Sequence, residues 1–290
     1  MPVTGPVLVV GAAGRLAAAV AHAFAGRAVV RHTRASLDVA DAAAVARAAV
    51  AAAPEVIVNC AAFNDVDGAE DRPGEAMAVN AFAVRSLARA AEACGATLVH
   101  YSTDFVFDGD ATAPYIEDAG PAPRSVYAMS KLLGEWFALD APRAFVLRVE
   151  SIFGSPAGWS GRRGTLDGIV ESIEAHREVR VFTDRTVSPS YVDDVAAATR
   201  HLVDEHASPG LYHCVNTGYA TWYQVAEEAA RILGVAPRLH PVTVDQVSLR
   251  AARPRFCALS NRKLAGAGFV MPTWQDGLRR WLAGRKQPAA

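Results

Sequence analysis

The sequence predicts an α/β protein: a doubly wound parallel sheet in the first half, with a smaller, discontinuous α/β lobe added by the second. Three observations predict it. Short apolar runs alternate with Ala-rich helical stretches from Pro6 to Val149, as strand–helix repetition with short links requires. Those runs are continuously apolar rather than alternating, the pattern of strands buried on both faces. A Gly-rich turn, Gly11 to Gly14, stands between the first run and the first helix.

In chain order, Pro6–Val10 is apolar and β-branched, a first strand, and Leu16–Phe24 is an Ala-rich helix. Ala28–Arg31 reads as a second strand and Ala40–Ala52 as a second helix. Val56–Cys60 is a third strand, followed by a long helix over Gly74–Cys94 that Gly95 closes. Thr97–Ser102 is a fourth strand, Val126–Leu139 a helix and Ala144–Val149 a fifth strand. Beyond these, Gly164–His176 and Asp193–Val203 read as helices, with Val179–Phe182 and Leu211–Val215 as strands. Helix Trp222–Leu233 precedes a loop-rich stretch containing Pro237, Pro241 and Pro254, and a last helix lies near Gln275–Leu282. The chain therefore divides into a dinucleotide-binding Rossmann domain over residues 1–154 and a mainly substrate-binding lobe over 155–290. About 185–217 is expected to return to the Rossmann domain.

Of the 290 residues, 51% are hydrophobic, enough to build a packed core, and the formal net charge is −1. No run of Lys or Arg forms a stripe, which excludes a nucleic-acid polymer or an anionic membrane surface as partner. No apolar stretch approaches the roughly 20 residues that span a bilayer. The four cysteines, Cys60, Cys94, Cys214 and Cys257, lie far apart without a C-x-x-C pair. They read as free thiols of a reducing compartment, so the expectation is a cytoplasmic protein without a metal site.

Gly11-Ala12-Ala13-Gly14-Arg15-Leu16-Ala17 sits where a dinucleotide site needs it. Glycines allow a tight turn and close approach of backbone N–H groups to a pyrophosphate, which the helix N-terminus then favours. The second strand ends in Val30-Arg31-His32-Thr33-Arg34, and no acid occurs there before Asp38. An acid at this place suits a ribose 2′-hydroxyl, whereas a guanidinium suits a 2′-phosphate. Arg34, with Arg31 as the second candidate for that phosphate, therefore favours NADPH, with NADH as the second possibility, and Asp38 and Val39 are expected near the adenine edge.

Tyr127-Ala128-Met129-Ser130-Lys131 heads the helix after the fourth strand. Residues four apart share a helix face, so phenol and ammonium can point into one cleft. A nearby cation favours the phenolate and is expected to lower the Tyr127 pKa, giving an acid/base suited to carbonyl chemistry. The fourth strand ends in Ser102-Thr103-Asp104, whose Thr103 hydroxyl can meet a substrate oxygen at the carboxyl edge of the sheet.

These residues resemble an extended short-chain dehydrogenase/reductase, and specifically the dTDP-4-dehydrorhamnose reductase family. Its carriers are Gly11–Leu16, Arg34–Val39, Asn59–Phe63, Asp65–Glu70, Val79-Asn80-Ala81, Tyr127–Lys131, Ser188–Ala196 and Arg253-Pro254. The most specific run is Ser102-Thr103-Asp104-Phe105-Val106-Phe107-Asp108-Gly109. The resemblance implies an NADP(H)-dependent reductase of a nucleotide-linked 4-keto-6-deoxysugar, with hydride to C4 and Tyr127 as proton donor. Thr103, Tyr127 and Lys131 match the family's catalytic trio. Ala61, Ala62 and Phe63 match its segment against the cofactor, Asn80 an asparagine on the neighbouring helix, and Gly11, Gly14, Arg15 and Leu16 its phosphate loop. Thr103, Asp104, Ser151 and Arg253 are the expected substrate contacts, in a monomer or homodimer.

The sequence departs from the family where Val149-Glu150-Ser151 replaces the usual Thr-Ser-Trp, whose tryptophan lies against the sugar ring. Trp159 is a candidate replacement platform, with ordinary packing as its other reading; Arg162, Arg163 and Arg253 are candidates for a substrate diphosphate. Two alternatives stay open. One is an epimerase, or a reductase of another carbonyl substrate, on the same fold. The other is a non-catalytic NADP-binding regulatory subunit resembling methionine adenosyltransferase β, against which the intact trio argues.

Overall fold

The computed structural model describes residues 4–155, 159, 161 and 163–285. In the first half, β1 (Val7–Val10), β2 (Val29–His32), β3 (Val56–Asn59), β4 (Thr97–Thr103) and β5 (Ala144–Val149) are joined by helices. These are α1 (Arg15–Ala23), α2 (Ala42–Ala52), α3 (Val66–Asp71), α4 (Pro73–Met77), α5 (Ala83–Cys94) and α6 (Val126–Leu139). Then follow β6 (Ile152–Phe153), α7 (Thr165–Glu174), β7 (Glu178–Phe182), β8 (Thr186–Val187), β9 (Ser190–Tyr191), α8 (Val192–Asp204) and β10 (Gly210–His213). The chain ends with β11 (Ala220–Thr221), α9 (Trp222–Leu233), β12 (Arg238–Val242), α10 (Arg262–Gly266) and α11 (Trp274–Arg285).

The central sheet is wholly parallel, in the order β10-β5-β4-β3-β1-β2. β1, β3 and β5 are buried along their whole length, as their unbroken apolar sequences require. One face packs against α1, α7, α8, α9 and α11, the other against α2, α5 and α6. β10, from the second half of the chain, extends the sheet beside β5. α8 lies along α1, where Arg200 Nη1 donates to the Ala23 carbonyl at 2.8 Å and Arg27 pairs with Asp204. The order reverses between β1 and β3, so the crevice of a doubly wound sheet opens at their carboxyl ends.

Two stretches differ from the sequence expectation. The helix expected over Gly74–Cys94 begins earlier and in pieces. Asp65 caps α3 by accepting from the Gly68 amide at 3.0 Å, and a π-helical turn over Ala78–Phe82 separates α4 from α5. The wide turn carries the fully buried Asn80, whose side chain has its partners outside the helix. The second difference is β12, expected as loop because of Pro241. It pairs in parallel with β7 from Arg238 to Val242, and as an edge strand it has a free side where a missing N–H breaks no ladder.

Candidate active site

The phosphate loop follows from a close approach of two strands. Gly11 has φ +75°, and a Cβ there would lie 2.6 Å from the Ala61 Cα after β3. Only glycine lets the two strand ends come together. The cradle this leaves, open at the N-terminus of α1, fits a pyrophosphate. Gly14, Arg15 and Leu16 line one end of a cleft of about 660 Å³, and Ala61 and Ala62 line its floor. Arg15 is bound by Asp167 of α7 at 2.7 Å, which closes that end.

Thr103, Tyr127 and Lys131 meet in the middle of the same cleft. Ser125 caps α6 by accepting from the Ala128 amide at 3.2 Å, and the Glu70 carboxylate accepts from the Val126 amide at 2.8 Å. These bonds fix the first turn, so Tyr127 and Lys131, one turn apart, face inward together. Lys131 Nζ donates to the Tyr101 carbonyl of β4 at 2.5 Å. Burial pulls its pKa down to about 8, opposed by the charge of Glu135. Tyr127 packs edge-on against Phe105 at 5.8 Å. Burial pushes its phenol well above the ordinary value, the Asp104 carboxylate adds to this, and a hydrogen bond with the Thr103 hydroxyl opposes both. Lys131 is not among the groups that act on the phenol, so the expected lowering does not occur. The ammonium is turned to a backbone carbonyl, and the phenol is held protonated.

The other expected residues divide between cleft wall, support and rim. Asp104, Ser151 and Arg253 line the cleft. Arg253 is bound there by Asp67 at 3.0 Å. Ser151 adopts φ +44°, a left-handed conformation that strains a residue with a side chain. Asn80 lies beneath the wall rather than in it. Its Oδ1 accepts from the Phe63 amide at 2.8 Å, and its Nδ2 donates to the Phe63 carbonyl at 3.1 Å and to Ser130 Oγ at 3.0 Å. It joins the Ala61–Phe63 segment to the helix of Tyr127 and Lys131, and Phe63 itself packs beside Tyr127. Arg31 on β2 and Arg34 and Asp38 beyond it stand exposed, while Val39 is packed into the core with Leu37. Sequence reasoning gave no role to Arg185, Trp222 or Asp67, which also line the cleft. Asp67 lay within a quoted run; Arg185 and Trp222 carried no local signal.

The family model described as the RmlD substrate binding domain matches residues 5–286. The dTDP-4-dehydrorhamnose reductase of Mycobacterium tuberculosis is 36% identical over 287 residues, 96% of this chain and 92% of that protein.

The chain belongs to the dTDP-4-dehydrorhamnose reductase family.

A solved dTDP-4-dehydrorhamnose reductase of Bacillus anthracis, in complex with NADP, matches with a TM-score of 0.91 at 28% identity. It covers 97% of this chain and 99% of that one. A UDP-glucose 4-epimerase of Thermus thermophilus, in complex with NAD, reaches a TM-score of 0.82 at 22% identity over 98% of this chain, a likeness of fold alone. Membership of the dTDP-4-dehydrorhamnose reductase family makes this chain an NAD(P)-dependent oxidoreductase on a Rossmann-type parallel sheet.

Against that family, the two departures take definite places. Glu150 is buried, with its Oε2 accepting from the Ser188 amide at 2.7 Å. Trp159 sits at the phosphate-loop end, its Nε1 donating to the Ala13 carbonyl at 3.3 Å and its ring 4.9 Å from the Arg15 guanidinium. Arg163 lines the cleft while pairing with Glu171 at 2.5 Å, and Arg162 lies outside the described residues. All four cysteines are free, and no helix among the described residues is long and apolar enough to cross a membrane.

Proposed function

We propose that the protein reduces the 4-keto group of a nucleotide-linked 6-deoxysugar, using NADPH in preference to NADH. The observation that carries this reading is the meeting of Thr103, Tyr127 and Lys131 in the cleft that begins at the Gly11–Leu16 loop. When bound, the reduced nicotinamide supplies a hydride for the carbonyl carbon. The chain supplies placement and protons. The loop N–H groups and the α1 N-terminus receive the pyrophosphate, and Ala61 and Ala62 flank the ribose. Lys131, displaced from the Tyr101 carbonyl, holds the nicotinamide ribose. Exposed Arg34 meets the 2′-phosphate, which has no carboxylate to repel it between Ala28 and Leu37.

At the reacting carbonyl, Thr103 donates a hydrogen bond to the oxygen and Tyr127 transfers its proton as negative charge develops there. A phenol kept protonated by burial suits that direction of reaction. Residues 155–290 supply the sugar-nucleotide side, with Arg253 and Arg185 beside the cleft for a diphosphate.

The test follows NADPH and NADH oxidation with dTDP-4-keto-6-deoxysugars. Tyr127→Phe is expected to lower kcat by about 10²–10⁴-fold with a small change in KM, the usual worth of a positioned proton donor. Turnover unaffected by the substitution would sink the proposal.

A further inference from the structure

Ala61 and Ala62 of the cleft floor belong to a short segment, Ala61 to Phe63, that two buried asparagines tie down. Asn80 secures the far end through the Phe63 amide and carbonyl. At the near end Asn59 Oδ1 accepts from the Ala61 amide at 3.0 Å, which turns the chain out of β3. Gly11 packs against that same amide, since a Cβ there would lie 2.4 Å from the Ala61 nitrogen. The Asn59 bond therefore fixes the place where the phosphate loop and the cleft floor touch.

Beside Asn59, in register on β4, stands His100. Asn59 Nδ2 and His100 Nδ1 are 3.0 Å apart, and the two residues are 1% and 0% exposed. A peptide N–H can only donate, so the Asn59 oxygen faces Ala61 and its NH2 group faces the ring. That NH2 also only donates, so His100 Nδ1 accepts and the ring carries its proton on Nε2. Burial holds the imidazole well below the ordinary histidine range, and the Lys131 charge adds to this, so the ring stays neutral. Nε2 is enclosed without a hydrogen-bond partner and lies toward Gly134, where a Cβ would be 3.4 Å away. A leucine would fill the place without burying an unpaired N–H. What the imidazole adds over an apolar side chain is the Nδ1 acceptor.

We propose that His100 is a positioning residue for cofactor binding: its Nδ1 sets the Asn59 amide, which holds Ala61 in the shape the nicotinamide cofactor needs. Asn59 and Ala61 line the cleft, and His100 acts on them from behind it. The inference rests on the reading that the cofactor lies over Ala61 and Ala62, and it adds a residue outside the catalytic trio.

The two asparagines divide the work. Asn80 also donates to Ser130 Oγ, which donates to the Tyr127 carbonyl at 2.7 Å, so it reaches the helix of the trio. The Asn59 side chain bonds Ala61 and His100 and serves the near end of the segment. Without an acceptor at position 100 the Asn59 amide is free to turn over, which sets its NH2 against the Ala61 N–H. The cradle beside Gly11 then loosens while Thr103, Tyr127 and Lys131 keep their places. Cofactor binding should suffer and the chemical step should not.

His100→Asn can place an amide oxygen where Nδ1 stood, whereas His100→Leu removes the acceptor. In the full-length protein, fluorescence titration should show NADPH bound about five- to tenfold more weakly by His100→Leu, the worth of one buried hydrogen bond. Its KM for NADPH should rise in step with kcat within about twofold, and His100→Asn should bind within about twofold of the wild type. In Asn59→Ser, whose hydroxyl can accept from Ala61 without the ring, adding His100→Leu should weaken binding no further. Nitrogen NMR of the wild type should show the His100 ring protonated at Nε2 and bare at Nδ1, its signals identified by their loss in His100→Asn. Equal weakening in both His100 variants, no weakening in His100→Leu, a kcat that falls as far as KM rises, or a proton on Nδ1 overturns the proposal. Where the leucine variant does not fold, the ring protonation and the binding by His100→Asn decide. Binding is measured without substrate, so it stays decisive if no keto sugar is turned over and the reductase reading fails. A wild type that binds neither NADPH nor NADH sinks the cofactor placement, and this inference with it.

Discussion

Lys131 shows what the site costs the protein. Its ammonium is 3% exposed and bonded to one backbone carbonyl, so the folded chain holds it at about 8, while the unfolded chain has the ordinary lysine value of about 10.4. Between those values the unfolded chain binds a proton that the folded chain lacks, so stability rises with pH through that window. Below about 8 the burial cost is present in full. Lys131→Met should therefore stabilise the protein at pH 7, by about 1–3 kcal/mol, and remove the rise in stability between pH 8 and 10. Urea unfolding across that range checks both, and a less stable variant at pH 7 overturns the argument. Tyr127 and Lys131 were legible in the sequence because a four-residue spacing on a helix fixes a shared face. Their protonation was not, because burial and the carbonyl of Tyr101 come from a strand that the helix only meets in the fold. The approach of Asp104 to Glu150 was illegible for the same reason: the ends of two strands bring them together only in the fold.

At the scale of elements, the site depends on how closely α6 crosses the π-helical turn. A Cβ on Gly134 would fall onto the Asn80 carbonyl oxygen and lie 3.4 Å from His100 Nε2. In an open helix Gly→Ala gains about 0.5–1 kcal/mol from backbone entropy. Here the clash is with a backbone oxygen that cannot swing aside. Gly134→Ala should thus destabilise by about 1–3 kcal/mol and lower kcat by moving Tyr127 and Lys131 from Asn80 and Phe63. Denaturant unfolding decides it, since a stabilised variant would show that the crossing has slack. The ends of α6 were read directly from the sequence, Val126 to Leu139, whereas the helix before β4 was misjudged. Its early start hangs on Asp65 as a cap. Its wide turn exists because Asn80 serves Phe63 and Ser130, partners that helical periodicity does not announce.

At the scale of the whole molecule, a buried ion pair between neighbouring elements meets a strand from the second half of the chain. Arg148 of β5 donates through Nε and Nη2 to Glu135 of α6 at 2.8 and 2.7 Å, both residues being 2% exposed. Its guanidinium lies 4.9 Å from the Phe107 ring and 3.4 Å from His213 Nε2 of β10. Burial and the Arg148 charge hold His213 neutral, at about 3. The pair therefore sits where the strand from the second half closes on the sheet. Removing one partner leaves an uncompensated charge in the interior, so Glu135→Gln or Arg148→Met alone should cost about 3–5 kcal/mol. Removing both leaves an apolar gap that Leu and Met can fill, so Glu135→Leu with Arg148→Met should regain most of that loss. Urea midpoints of the wild type, two singles and the double measure the coupling, and losses that simply add would refute it. The double variant should still be impaired as an enzyme. Glu135 is the charge that holds Lys131 up against burial, so without it Lys131 loses its proton at lower pH and the alkaline fall of activity moves down with it.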